Sequence, residues 1–112
     1  MFRMVALDMD GTLLNNQHQL TETTTTVLRR LSSKGIIICL ATGRGLDSPF
    51  FKYLEVLDLP QREVPTVNYN GASASVFING CTERVNVYSN PVSKENTQSL
   101  IEMANRLDLC LQ

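Results

Sequence analysis

The stretch VALDMDGTLLNNQ, residues 5–17, turns from apolar to acidic within four positions. Met4-Val5-Ala6-Leu7 is continuously apolar rather than alternating, the pattern of a strand buried on both faces of a parallel sheet. The chain then sets two carboxylates, Asp8 and Asp10, one residue apart, with Gly11 and Thr12 beside them. A strand that ends in this way needs neighbours that give the acids a purpose.

The sequence on either side supplies them. A polar loop, NNQHQ (15–19), leads to Thr21, which can cap a helix with Glu22 in its first turn; the TETTTT run (21–26) forms the start of that helix, and Val27, Leu28 and Leu31 recur at helical spacing. Gly35 after Lys34 is a C-terminal stop. IIICL (36–40) is a second buried strand, β-branched at three positions. ATGRG follows. Ser48-Pro49 is an N-cap followed by a first-turn proline, and a helix to about Leu57 carries Phe50, Phe51, Leu54 and Leu57 on one core-facing side. PTVNYNG (65–71) is a short third strand. The order β-α-β-α-β predicts a right-handed, mostly parallel sheet and the α/β class.

Beyond residue 71 the pattern changes. ASASVFI and TERVNVY flank Asn79-Gly80, so an antiparallel hairpin is expected over 72–88. Asn90-Pro91 interrupts the chain. Ser93 caps a further helix with Leu100, Ile101, Ala104 and Leu107 on one face, and LDLCLQ (107–112) closes it and begins another strand.

Composition narrows the function classes. The 112 residues are 43% hydrophobic and 19% charged with net charge −1, an ordinary globular balance that points to neither a nucleic-acid nor a membrane partner. The longest apolar stretch, Ile36 to Ala41, is far below the roughly 20 residues that span a bilayer. Asp8 and Asp10 interrupt the N-terminus before a signal-peptide core could form. Cys39, Cys81 and Cys110 are widely spaced and odd in number, which fits free thiols in a reducing cytoplasm.

In open α/β sheets, ligands gather at the carboxyl ends of the strands. Three polar clusters fall there: Asp8/Asp10/Thr12, Thr42-Gly43-Arg44 and Asn70-Gly71. Two carboxylates about 4 Å apart repel by roughly 4 kcal/mol at an effective dielectric near 20. A hard cation removes that repulsion, and Mg²⁺ takes a few oxygen ligands plus substrate phosphate. One carboxylate can then attack phosphorus while the other moves protons. Thr42 offers a hydroxyl, Gly43 allows close backbone approach, and Arg44 can pair with an anionic substrate. Asn70-Gly71 serves equally well as a plain turn, and His18, in its polar loop, is expected to be solvated.

DMDGTLL resembles the first motif of the haloacid dehalogenase superfamily, DxDGT, and ATGR resembles its second motif, a strand ending in Thr or Ser. NYNGA, with the hairpin and helix after it, is similar to the sugar-phosphate phosphatases that carry a large α/β cap. The resemblance implies a Rossmannoid three-layer core over residues 1–89 and the beginning of a cap over 90–112. It implies Asp8 as nucleophile, Asp10 as general acid/base, and Thr42, with Gly43, as phosphate ligands. Mg²⁺ would be held by the Asp8 carboxylate and the Asp10 main-chain carbonyl, with Arg44 and Asn70 at the rim. The implied activity is Mg²⁺-dependent hydrolysis of a small phosphorylated metabolite through an aspartyl-phosphate.

The family's third motif supplies a lysine and its fourth supplies paired acids, both beyond the cap. Lys34, Lys52 and Lys94, and the late acids Glu95, Glu102 and Asp108, all fall on expected helices or helix ends. The sequence is therefore expected to be the first part of such an enzyme, weak by itself and prone to self-association. The rival reading is a catalytically silent chain that binds a partner or phosphate.

Overall fold

The computed structural model describes residues 2–46, 48–78 and 83–110, without the side chains of residues 48 and 49. The elements are β1 (Met4–Asp8), α1 (Glu22–Ser33), β2 (Ile37–Ala41), α2 (Ser48–Leu57), β3 (Glu63–Asn68), β4 (Ser73–Ile78), β5 (Glu83–Ser89) and α3 (Lys94–Leu107). The five strands pair in chain order, β1-β2-β3 parallel and β3-β4-β5 antiparallel.

Local chemistry sets the helix ends. Thr21 Oγ1 accepts the Thr24 N–H at 3.2 Å and caps α1. Gly35, at φ +79°, ends it with Gly35 N–H on Ser32 O and Ile36 N–H on Leu31 O. Two crossovers in the same direction put α1 and α2 on one face of the sheet. Leu28 from α1, Phe50, Leu54 and Leu57 from α2, and Ile38, Leu40, Val64 and Phe77 from the strands form the core there. The Phe77 ring lies 6.2 Å from Phe50 and 5.7 Å from Phe51. Arg29 ties the helices together by donating to Leu57 O at 2.8 Å and Val56 O at 3.0 Å.

The parallel β2–β3 pairing covers only Leu40↔Thr66 and Ala41↔Val67. Toward their amino ends the strands diverge, and the Gln61 amide fills the gap. Its Oε1 accepts the Ile38 N–H at 2.9 Å, and its Nε2 donates to Ile38 O at 2.8 Å and Glu63 O at 3.0 Å. The strands therefore close against each other only at their carboxyl ends.

Several expectations change. β1 alternates: Met4, Ala6 and Asp8 are exposed, and Val5 and Leu7 half-buried. Among the described residues it pairs with β2 alone, and α1 and α2 cover only one face, so continuous burial gives way to an edge-strand pattern. Val27 lies 49% exposed, on the margin of the α1 core stripe. β3 ends at Asn68 because Tyr69, Asn70 and Gly71 all take positive φ, which no strand can contain. Residues 108–110 form no strand. Asp108, at φ +52°, stops α3, the Leu109 N–H returns to Ala104 O, and no strand lies alongside to pair with. The Asn79-Gly80 turn falls outside the described residues, while its flanking strands pair from Ser73↔Ser89 to Ile78↔Glu83.

Only Ala104 of α3 is buried. The radius of gyration is 16.5 Å, against about 13 Å for a compact domain of this length, because the hairpin and α3 extend from the core. Among the described residues, no helix is long and apolar enough to cross a membrane.

The core and the extension should respond differently to truncation. Phe77→Ala should cost roughly 3–5 kcal/mol in urea unfolding. Ile101→Ala, at a side chain 47% exposed, should stay within about 0.5 kcal/mol of the parent. Equal losses would contradict this placement of the core.

Candidate active site

The register Asp8↔Ala41 and Ala41↔Val67 brings the carboxyl ends of β1, β2 and β3 to one level. After Asp8 the chain makes a single wide turn over Met9–Leu13, closed by Leu14 N–H on Met9 O at 2.9 Å, with Gly11 at φ +76°. Met9 and Leu13 are buried and anchor the turn, leaving Asp8 and Asp10 exposed on it. Thr12 Oγ1 reaches Asp8 Oδ2 at 3.4 Å.

The segment after β2 interlocks with the turn after β3. Arg44 O accepts two hydrogen bonds, from the Tyr69 N–H and Asn68 Nδ2, both at 3.2 Å. The Asn70 N–H reaches Thr42 O at 3.4 Å, and the Leu46 N–H donates to Tyr69 Oη at 3.2 Å. The two chains lie so close that a Cβ on Gly43 would stand 2.8 Å from Asn70 Oδ1, and one on Gly45 2.9 Å from the Tyr69 ring. The Thr42 hydroxyl accepts the Arg44 N–H at 3.1 Å, so its own proton remains available to donate elsewhere.

Asp8, Thr42, Gly43, Asn70 and Gly71 line one cavity of about 320 Å³, with Ala41 and Val67. Four of the expected site residues thus come together. The remaining two, Asp10 and Arg44, pair with each other beside the cavity: Arg44 Nε donates to Asp10 Oδ2 at 2.7 Å and Nη2 to Oδ1 at 2.6 Å. The hydrogen bonds from Arg44, then His18, hold the Asp10 carboxyl down to about 2 against the opposing effect of its partial desolvation. The same pair pushes Arg44 further up.

His18, expected to be solvated, is also drawn in. Its side chain is 67% exposed, yet Nδ1 lies 3.1 Å from Asp10 Oδ1. Asn15 Oδ1 accepts the N–H groups of Gln17 and Gln19 and folds the loop, with His18 at φ +55°. Tyr53 from α2 holds it there, donating to His18 O at 2.8 Å, while its ring lies 5.5 Å beneath the Arg44 guanidinium. No periodicity in the sequence links residues 10, 18, 44 and 53. The signal was confined to the Asn15 turn.

No group of three or more His, Cys, Asp or Glu side chains suited to a metal occurs among the described residues. The cavity offers one carboxylate, Asp8, with carbonyl and hydroxyl oxygens around it. That is the kind of donor Mg²⁺ accepts and the minimum number of carboxylates it uses beside a substrate phosphate. Asp10 adds no carboxylate while Arg44 occupies it.

A family model described as haloacid dehalogenase-like hydrolase matches residues 5–112. YxeH of Bacillus subtilis (strain 168) is 31% identical over 112 residues, which are all of this chain and 37% of that protein. The 5-amino-6-(5-phospho-D-ribitylamino)uracil phosphatase YitU of the same organism is 36% identical over 69 residues, 62% of this chain and 24% of the relative. The chain thus spans little more than a third of YxeH. A solved haloacid dehalogenase-like hydrolase from Bacteroides thetaiotaomicron superposes with a TM-score of 0.77 at 24% identity, over 95% of this chain and 38% of that one, a likeness of fold. A protein from Geobacillus kaustophilus HTA426 gives a TM-score of 0.75 at 30% identity, over 96% of this chain and 38% of that one.

The Asp10–Arg44 pair makes a titration test. In the parent chain the Asp10 carboxyl should titrate near about 2, and in Arg44→Gln it should move up toward the ordinary 3.8. The sign follows from the depressed value: the pair stabilises the fold above the ordinary carboxylate range and is lost as pH falls toward 2. Carboxyl NMR reads this directly, and an unshifted parent value would contradict the clamp.

Proposed function

This chain belongs to the haloacid dehalogenase-like hydrolase family, and we propose that it carries the nucleophile half of a phosphate-ester hydrolase acting on a small phosphorylated metabolite. The observation that carries the reading is the shared cavity: one carboxylate, one hydroxyl with a free proton and one closely approachable backbone meet at the strand ends. Relatives named as phosphatases, among them YitU and the HMP-PP phosphatase of Cronobacter sakazakii, 52% identical over 46 residues, support the class of reaction.

In this reading Thr42 Oγ1 and the Gly43 N–H donate to phosphate oxygens. An Asp8 carboxylate oxygen attacks phosphorus, the ester P–O bond breaks, and the leaving oxygen takes a proton. Water then attacks the aspartyl-phosphate, gives up a proton and releases inorganic phosphate, restoring Asp8. Asp10 is ionised by its clamp, and with both oxygens on Arg44 it must part from the guanidinium before it can accept the proton from that water. To protonate the leaving group it must first take up a proton and part from Arg44. Arg44 and Asn70 stand at the rim, where an anion can compete with Asp10 for the guanidinium. Mg²⁺, held by the Asp8 carboxylate and the Asp10 main-chain carbonyl, would reduce the repulsion between carboxylate and phosphate.

Residues 1–89 form the core in this account and 90–112 the start of a cap. The free thiol of Cys39, buried in β2, suits a reducing cytoplasm. The alternative, a silent chain that binds phosphate or a partner, is favoured by one observation: both Asp10 oxygens are already engaged.

Asp8→Asn should reduce hydrolysis of para-nitrophenyl phosphate in Mg²⁺ buffer to background while circular dichroism stays unchanged. Retained turnover would remove Asp8 from its role, and no turnover in the parent chain would favour the binding reading. A second outcome follows from exposed Leu100, Ile101, Met103 and Leu107 on α3 and the open edge of β1. Light scattering after size exclusion should find dimers or larger species, and a clean monomer at high concentration would contradict the self-association.

A further inference from the structure

A second cavity, of about 440 Å³, lies on the other side of the Tyr69–Gly71 turn and takes no part in the proposed phosphate chemistry. The sheet contributes Ser73 of β4 and Arg84, Asn86 and Ser89 of β5 to its lining. The register stacks three rows across β3, β4 and β5: Asn68–Ser73–Ser89, Thr66–Ser75–Asn86 and Val64–Phe77–Arg84. An irregularity opposite Ala74/Ser75 leaves Val87 without a partner, and the extra residue lets Asn86 and Ser89 share one face. Two of the three rows are wholly polar. Of these rows, Ser73, Ser89 and Asn86 line the cavity and turn polar side chains to it.

Leu46, Tyr69, Pro91 and Val92 supply the apolar part of the lining, and the Asn90 N–H donates to Ala72 O at 2.8 Å beside them. The one formal charge in the lining is Arg84, and no carboxylate accompanies it. Among the described residues Arg84 has no ion-pair partner. The two cavities share a single turn: Asn70 and Gly71 face the smaller one, while Tyr69 and Ala72 face the larger. Tyr69 and Asn70 hold φ of +53° and +51°, a conformation that costs free energy and is kept where the surroundings over-determine it.

We propose that this second cavity binds the far end of the ligand, a polyhydroxylated group ending in an anion, carboxylate or phosphate, with Arg84 as the anchor and Ser73, Asn86 and Ser89 as hydrogen-bonding partners. The proposal rests on the phosphate-site reading above, which it extends to a substrate class: phosphoesters with a second negative charge. The guanidinium supplies paired donors to that anion, and the tyrosine and valine walls cover the carbon chain between them.

A matched pair of probes tests it. 6-Phosphogluconate and sorbitol 6-phosphate differ in whether the carbon farthest from the phosphate is a carboxylate or a hydroxymethyl group. Amide NMR titrations of the chain should show 6-phosphogluconate binding about tenfold or more tightly, and in Arg84→Gln the preference should fall to within about twofold. The Tyr69, Ser73 and Asn86 amides should shift with 6-phosphogluconate and much less with inorganic phosphate. Equal affinities, a preference that survives in Arg84→Gln, or no binding of either probe would overturn the proposal. Inorganic phosphate separates the two readings. If it leaves the Thr42, Gly43 and Asn70 amides unmoved, the phosphate site fails, whereas Arg84-dependent shifts with gluconate alone would still support the anion subsite.

Discussion

The hydrogen bonds that lock the segment after β2 to the turn after β3 hold the site together. Arg44 O is the centre of that lock, accepting from both Tyr69 N–H and Asn68 Nδ2. With its main chain fixed at this point, the Arg44 guanidinium reaches back to Asp10, and the Arg44 N–H orients the Thr42 hydroxyl. Glycine at 43 and 45 leaves room for the lock, since a Cβ there would push the Asn70 amide or the Tyr69 ring aside. Holding Tyr69 and Asn70 in left-handed backbone costs on the order of 1–3 kcal/mol each. The hydrogen bonds donated by Tyr69 N–H and Asn70 N–H, and the one Tyr69 Oη accepts from Leu46 N–H, offset part of that cost.

The lock divides the labour of the two carboxylates. Asp8 ends a strand in register and faces the cavity, with one long hydrogen bond from Thr12. Asp10, two residues on, leaves the sheet level in the wide turn and is taken by Arg44 and His18. The repulsion expected between two neighbouring acids is thereby relieved within the chain by a guanidinium, before any cation is considered. The arrangement favours an ionised Asp10 and ties any proton uptake there to movement of Arg44. Tyr53, which supports both the guanidinium and the His18 loop, makes α2 part of the site as well as part of the core.

Much of this was legible in the sequence. The apolar run into Asp8, the β-branched run into Thr42 and the Thr21 and Gly35 helix signals depend on local chemistry, and local chemistry decided them. The hairpin was legible because alternation and an Asn-Gly turn are short-range. What could not be read depends on contacts between distant segments. The alternating burial of β1 reflects helices that cover only one face of the sheet, which the residues of β1 do not encode. Gln61 stands in for strand pairing with Ile38 across 23 positions, and nothing marks it among other polar loop residues. A loop histidine has no period, so the sequence of His18 alone points to a solvated side chain. Its approach to Asp10 needs the Asn15 turn and the Tyr53 hydroxyl together. The third strand spans Glu63–Asn68 rather than 65–71, because the left-handed turn at Tyr69–Gly71 is held by hydrogen bonds to the segment after β2.

The central claim is that Asp8, at the end of β1, is the group that accepts a phosphoryl group. The most direct measurement is mass spectrometry of the chain after brief exposure to acetyl phosphate with Mg²⁺ and acid quenching. The account predicts that the peptide containing Asp8 gains the mass of one phosphoryl group, lost again at alkaline pH as an acyl phosphate must be. Labelling of a different residue, or no labelling while the folded state is intact, would contradict it.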